Sequence, residues 1–424
     1  MLSFEALLAR VPQLNEHTVA PPALAPLRDG AQLENALSRI AGTPSATPRA
    51  FAALGNVLVR RGAYVDALEA YRSAADLDPS DAPVHWMCGE IAHVLGDEET
   101  SAIYRARALE RQRVFADPLP TGDRTAVLLL LRDIPYSTNA PLELMLDRER
   151  FAVHKWYFED GVAQTLPAYD VAFAAFGAAR GARKAVEYAA AFFENSTGRI
   201  NDPQRLARTA RESLSRSLGE TAGVTAPQTS VVDAAGLRAL QAPALVRPVD
   251  THAGEGFVYA VDGADLELVA QRYPAGAYYV SRFTDYRSAD GFYRKLRAIF
   301  VHGRAYPYRL AIAPQWMVHY QTAPMEESAA ARAEEAAFLA APQTLVPSWD
   351  SAMPAIAEAI GLDYFGIDAT VLRSGELFVF EADAAMLVHD EDARGVFAYK
   401  RPYVARIREA LEALVIDRTR RKTP

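Results

Sequence analysis

The period of the apolar positions changes along the chain, and each change predicts a different kind of element. Over residues 51–79, FAALGNVLVRRGAYVDALEAYRSAADLDP, apolar positions recur every three or four residues, which predicts two amphipathic helices. Residues 1–47 are rich in Pro and Ala and give no clear boundaries, with room for a helix or two. A Pro, Gly and acid cluster, ADPLPTGDR at 116–124, predicts a boundary. TAVLLLLRD (125–133) and VAFAAFG (171–177) are continuous apolar runs of strand length, as in strands buried on both faces. PLELMLDRERF (141–151) between them reads as a helix, giving the alternation of an α/β layer. From Asn201 the texture shifts again. NDPQRLARTARESLSRSLG predicts a helix opened by Asn/Asp and Pro. Short strand runs follow in TSVVD, PALVRP, YYVSRF and LRAIFVHG, then a hairpin, GIDATVL and ELFVFEAD, and a closing helix, YVARIREALEALVI.

That hairpin carries the most unusual chemistry. Ser374-Gly375 predicts a two-residue turn, because Gly accepts positive φ at low cost. Arg373 then faces Glu376, and outward counting sets Asp368 against Glu381, with Asp383 on the same face. Ile367, Ala369, Val371, Phe378 and Phe380 are expected on the opposite face. Like charges facing each other across strands repel. A hard divalent cation such as Mg²⁺ would neutralise them through carboxylate oxygens. A solvent-facing acidic surface paired with arginines would show the same spacing, and the residues alone leave both open.

Composition narrows the classes. The chain has 424 residues, enough for two or three domains, and half of them are hydrophobic. A net charge of −8 gives no support for broad nucleic-acid or anionic-membrane binding, although a local basic cleft stays open. Cys88, the only cysteine, allows no internal disulfide, and its helical context reads as a small core residue. No window approaches a membrane span, and the N-terminal run is too short and too soon acidic for a signal peptide. A soluble, cytoplasmic protein is expected, with no nucleic-acid or membrane partner.

Two resemblances organise these pieces. Phe51, Leu54, Gly55 and Leu58, followed by Ala67, Tyr71, Ala74 and Pro79, resemble a tetratricopeptide repeat (TPR). Thirty-four residues on, Gly89 and Ala108 keep the pattern, whereas Ser101 and Arg105 stand at the Ala67 and Tyr71 positions. Such a region implies a possible protein or peptide partner. GIDATVLRSGELFVFEADAAM is similar to the metal-binding end of the ATP-grasp superfamily, with Asp383 where most members have Asn. Other segments follow in that family's order. NDPQRLARTAR resembles the Asn-x-Pro entry segment, with Arg211 at a phosphate-binding Lys position. GVTAPQTSVV resembles the following strand entry, and ALVRPVDTHAGEG the Lys-Pro strand and glycine-rich phosphate loop. AYYVSRF resembles the hinge strand, and KLRAIFVHGRAYP a strand pair with a reactive-centre Arg.

The resemblance implies an α/β fold: an ATP-grasp domain over 201–424, a Rossmann-like pre-ATP-grasp α/β domain over 117–200, and a helical TPR-like domain over 1–116. It implies ATP and one or two Mg²⁺ ions. Asp368, Glu381 and Asp383 would be the metal ligands. Arg211, Arg247, His252, Gly254, Gly256, Ser281, Arg282 and Phe283 would bind nucleotide, and Arg297 would act at the reacting group. The substrate carboxylate is expected near Tyr136, Ser137 and Asn139 and near Arg294 or Arg309. The implied activity is a carbon–nitrogen ligase that joins a carboxylate to an amine, on an amino acid, peptide or related metabolite, through an acylphosphate. Alternatives are a TPR-bearing interaction protein with a degenerate nucleotide-binding domain, or an ATP-grasp phosphotransferase.

Overall fold

A computed structural model describes Leu7 and residues 47–60, 62–117, 119–132, 139–140, 142–158, 164–177, 183–249, 256–274, 276–320, 322–386, 388 and 395–420. The chain divides into two compact units. One comprises residues 1–116 with 155–157 and 164–166, and the other comprises the remainder.

The first unit holds four helices, α1 Pro48–Arg60, α2 Tyr64–Leu77, α3 Ala82–Val94 and α4 Glu98–Arg111, packed as consecutive hairpins. Leu54, Leu58, Ala67, Tyr71, Ala74, Cys88 and Ile91 form its core. Gly55 explains the first hairpin, since a Cβ there would lie 2.6 Å from the Tyr71 ring. The second hairpin solves the same problem with a different residue. The Arg105 stem lies over Gly89, where a Cβ would meet it at 2.8 Å, and its guanidinium pairs with the buried Glu90 at 3.0 Å. An arginine thus fills the tyrosine's place by covering the glycine with methylenes and burying its charge on a partner. Asp81 and Asp97 cap α3 and α4 by accepting from the N–H of Val84 and Thr100. Burial pushes the Cys88 thiol up to about 12, which keeps it out of nucleophilic chemistry. Strand β1, Val114–Phe115, pairs antiparallel with Trp156 and Lys155.

In the second unit, β2 (Thr125–Leu131), β4 (Val171–Ala174) and β5 (Gly198–Ile200) form a parallel run, with the Phe151–His154 part of β3 (Phe151–Tyr157) on the other side of β2. All of β2 beyond Thr125 is buried, as its unbroken apolar run requires. The crossover helix is α5, Arg183–Glu194. The helix expected over 141–151 is not formed. Only Leu142–Leu144 makes a short 3₁₀ turn, and the Asp147 carboxylate accepts the Glu149 N–H in a turn that leads directly into β3. The helix expected from 201 is likewise split. A 3₁₀ segment, Pro203–Thr209, is capped by Asp202, Ala210 is extended, and α6 covers Arg211–Ser217.

Two further sheets follow. The smaller, in the order β7-β10-β8-β9, comprises Ser230–Val232, Tyr278–Ser281, Ala244–Pro248 and Val258–Ala260, all antiparallel. Helices α7 (Ala234–Arg238) and α8 (Gly263–Arg272) supply core residues Leu237, Leu266 and Val269 against Val246 and Tyr278. Alternation then turns Leu245, Arg247, Tyr279 and Ser281 to the other face. The larger sheet has the order β12-β11-β13-β14-β6, comprising Arg304–Ala313, Tyr293–Val301, Tyr364–Val371, Leu377–Asp383 and Val224–Thr225. Helices α9 (Ala329–Ala340), α10 (Trp349–Ile360) and α11 (Arg401–Arg420) pack against it.

Asn201 ties β13 to the entry segment. It is fully buried at φ 61°, and its side chain both donates to the Tyr364 carbonyl and accepts the Tyr364 N–H, each at 2.8 Å. Asn is among the few non-glycine residues that tolerate that backbone region.

Candidate functional site

The hairpin of β13 and β14 departs from the expected register twice. Its loop is three residues, Arg373 to Gly375, closed by Leu372 N–H to the Glu376 carbonyl and Gly375 N–H to the Leu372 carbonyl, each at 2.9 Å. Gly375, at φ 88°, is the glycine that such a loop needs at its last position. This shifts the pairing by one residue, so that Val371 faces Leu377 and Ala369 faces Val379. A bulge at Phe380 then restores it, and Asp368 faces Glu381 as expected. Phe378, opposite Thr370, therefore shares the acids' face, and with Phe380 it lines the cavity there instead of the opposite core.

That cavity lies between the four-stranded sheet and the larger five-stranded sheet. Leu245, Arg247, Tyr279 and Ser281 face it from the small sheet, and Lys295, Asp368, Phe378, Phe380 and Glu381 from the large one. One end is apolar. Phe283 meets Tyr259 in a tilted contact and Trp316 edge-to-face, at ring-centroid distances of 4.6 and 5.7 Å, and Tyr286 lies 4.9 Å from Phe380. The Tyr286 hydroxyl donates to the Trp316 carbonyl, which holds the 314–319 loop along the cavity's side.

The other end is charged. The Arg297 fork donates to both Asp368 oxygens, at 2.6 and 2.9 Å, and Lys295 Nζ lies 3.2 Å from Oδ2. Burial pushes the Asp368 carboxyl up, but Arg297 and Lys295 outweigh it and hold the acid well below the usual range. Arg211 pairs with Glu381, and burial of that acid is outweighed in the same way, chiefly by Arg211. Arg247 is lowered to about 10 by burial and by the nearby Arg211 charge. Asp383 Oδ1 accepts the Ala385 N–H at 2.8 Å, and burial, with the Glu381 charge, raises its carboxyl to about 6.

Three of the expected ligands therefore behave differently from a preassembled cage. Among the described residues no group of three or more acids, histidines or cysteines is arranged to hold a metal ion. Asp368 gives both oxygens to Arg297, so it serves as an arginine partner. Glu381 meets Arg211 through Oε2 and Asp383 meets Ala385 through Oδ1, which leaves one oxygen of each outside these contacts. That donor set fits one hard cation shared with further oxygens, not three carboxylates around two ions.

Of the other expected residues, Arg211, Arg247, Ser281, Arg282 and Phe283 line the cavity. Gly256 sits at φ 63°, where a Cβ would lie 2.8 Å from the Pro248 ring. His252, Gly254, Tyr136 and Ser137 lie outside the described residues. Arg294 alternates with Lys295 onto the opposite face and pairs with Glu334 and Asp290, away from the site. Arg309 lies opposite Arg297 and over the Tyr320 ring at 5.1 Å. Asn139 serves its own loop, accepting the Arg132 N–H and donating to the Arg132 carbonyl. Lys295, Trp316 and His319 were not singled out by sequence reasoning, although Lys295 stands two residues before Arg297 in a period-two strand and so shares its face. Burial, and then the Lys295 charge, lower the His319 pKa.

Comparison with known proteins bears first on the helical unit. A family model described as TPR repeat matches residues 55–96. This segment is a TPR repeat. The matched stretch begins at Gly55 and takes in Gly89, the glycines that face Tyr71 and Arg105 across the two hairpins of the TPR region. No curated protein sequence matches the chain. Among solved structures it is similar to a RimK domain protein ATP-grasp from Sphaerobacter thermophilus, at 14% identity and TM-score 0.40, covering 69% of this chain and 100% of that one. It is also similar to the VanG D-Ala:D-Ser ligase from Enterococcus faecalis, at 13% identity, TM-score 0.42, and 69% and 99% coverage. A third is the D-alanine-D-alanine ligase from Coxiella burnetii, at 9% identity, TM-score 0.45, and 70% and 96% coverage.

Proposed function

We propose that the chain is an ATP- and Mg²⁺-dependent ligase of the ATP-grasp type that joins a carboxylate to an amine. The observation that carries this reading is the polarity of the cavity. Arg211, Arg247, Lys295 and the Arg297–Asp368 pair gather at one end, and Phe378, Phe380 and Leu245 at the other. A nucleotide has the complementary polarity, with an apolar base and an anionic tail. In this reading the base lies between Leu245 and Phe378, beside the Ser281–Phe283 backbone. Arg247 and Arg211 hold phosphate oxygens as charged forks. Lys295 and Arg297 stabilise the charge that develops on the transferred group.

The chemistry asks for position and charge, not for a protein nucleophile. A carboxylate oxygen attacks the γ-phosphorus and the bond to the ADP oxygen breaks; the amine nitrogen then attacks the acyl carbon, the C–N bond forms, inorganic phosphate leaves, and the nitrogen gives up a proton. Glu381 and Asp383 would hold Mg²⁺, which supplies Lewis-acid charge neutralisation at the phosphates. The TPR region would offer a surface for a peptide or protein partner.

The test is phosphate release from ATP on addition of amino acids, peptides and related metabolites in pairs. Release that depends on both acceptor and amine is expected, and Glu381→Ala and Arg297→Ala should each remove it. Substrate-dependent release that survives Glu381→Ala would sink the assignment. The ion pairing of Asp368 and Glu381 favours one further reading, a domain that binds nucleotide without turnover, which ATP binding with no release on any pair would support. A labelled phosphoester product would instead indicate a phosphotransferase.

A further inference from the structure

The acids of the cavity are already matched to basic side chains of the chain itself. Asp368 is 2% exposed and takes both arms of Arg297 together with Lys295. Glu381 takes Arg211. Among the described residues of the cavity, Arg211, Arg247, Lys295 and Arg297 stand with the carboxylates of Asp368 and Glu381.

In a site built from carboxylates and phosphates, a divalent cation ordinarily offsets their mutual repulsion. Here a guanidinium already does so. Arg211 meets Glu381 through a single nitrogen, Nη2, and lies close enough to Arg247 to act on its charge. A guanidinium has five N–H donors in a planar fork, so one arm on Glu381 leaves others for phosphate oxygens. For a divalent ion to take the Asp368 oxygens, Arg297 would have to release a carboxylate that is buried, at a large cost.

We propose that this cavity binds the triphosphate of a nucleotide without a divalent cation, with Arg211 bridging Glu381 to the phosphates as a built-in counter-ion. The proposal rests on the ATP-dependent reading above and sharpens it: the metal serves phosphoryl transfer and not occupancy of the cavity.

Calorimetric titration of the full chain with ATP, once in excess EDTA and once in Mg²⁺, tests this. The two dissociation constants are expected to agree within ~10-fold. Binding that appears only with Mg²⁺, or is more than ~100-fold weaker without it, overturns the inference and leaves the ligase reading standing. No binding in either condition overturns both. Arg211→Gln is expected to weaken metal-free binding by ~10-fold or more and Mg²⁺-supported binding by much less, with Arg211→Lys restoring part of the loss. Equal loss in both conditions would make Arg211 an ordinary phosphate contact and end the counter-ion role. Circular dichroism melts of each variant confirm that the comparison is between folded proteins.

Discussion

Asp368 and Arg297 behave as one unit at the centre of the larger sheet, and each depends on the other for its place. Replacing Arg297 by Met leaves a buried carboxylate with only Lys295 as a close partner, and urea denaturation should show a loss of about 3 kcal/mol. The neighbouring Asp383 has the opposite sign. Its folded pKa, about 6, lies above the ordinary 3.8, so the folded state is penalised once the group ionises. Below pH ~4 the acid is protonated whether folded or not and costs nothing; stability is lost as pH rises through 6 and the penalty then levels off. Asp383→Asn should therefore raise the melting temperature at pH 8, by ~1–3 kcal/mol in stability, and change little near pH 4. The pairing of Asp368 with Glu381 was expected by counting from a two-residue turn, and it holds because the longer loop and the Phe380 bulge offset each other. The ownership of these acids by Arg297 and Arg211 was not legible, because those arginines come from segments 71 and 170 residues away, and no local period links them.

Elements succeed or fail as sequence readings according to where their hydrogen bonds go. The unbroken apolar run of β2 left no other fate than a strand buried on both faces. The 141–151 stretch interleaves apolar and charged positions but spends Asp147 on a local turn, and a side-chain acceptor of that kind outcompetes helix propagation. The link between α9 and the segment before α11 was invisible in sequence for a different reason. Lys400 and Glu335 are both fully buried, 3.7 Å apart, and share Tyr320, whose hydroxyl donates to Glu335 at 2.9 Å. Nothing in a composition signals that a surface-type lysine will be enclosed by the rings of Tyr308, Tyr320 and Phe397. Lys400→Met and Glu335→Gln should each cost about 3 kcal/mol, and the double variant less than their sum, as a denaturation double-mutant cycle would measure.

At the scale of the molecule, the overall charge and the balance of the described cavity lining differ in sign. The chain carries −8 in total, yet the described lining of its candidate site holds more arginine and lysine than aspartate and glutamate. Nucleotide binding should therefore weaken as salt rises from about 0.05 M to about 0.5 M, since screening acts on the cavity's attraction for an anion. A site governed by the molecule's net charge would show the reverse, with salt easing repulsion. The succession of a helical region, an α/β layer and a run of short strands with a closing hairpin could be read from changes in apolar period. Which sheet faces which could not, because the cavity is built from alternate residues of strands scattered between Leu245 and Glu381.

The β13–β14 hairpin carries one residue more than its simplest form in the loop and one more at the Phe380 bulge, and the two cancel at Asp368 and Glu381. The parity of the ladder is thus conserved by a matched pair of insertions. Shortening the loop alone would leave the bulge uncancelled and turn Glu381 out of step with Asp368. Removing Ser374 and Phe380 together would restore the phase, so the hairpin tolerates length changes in twos and resists them singly.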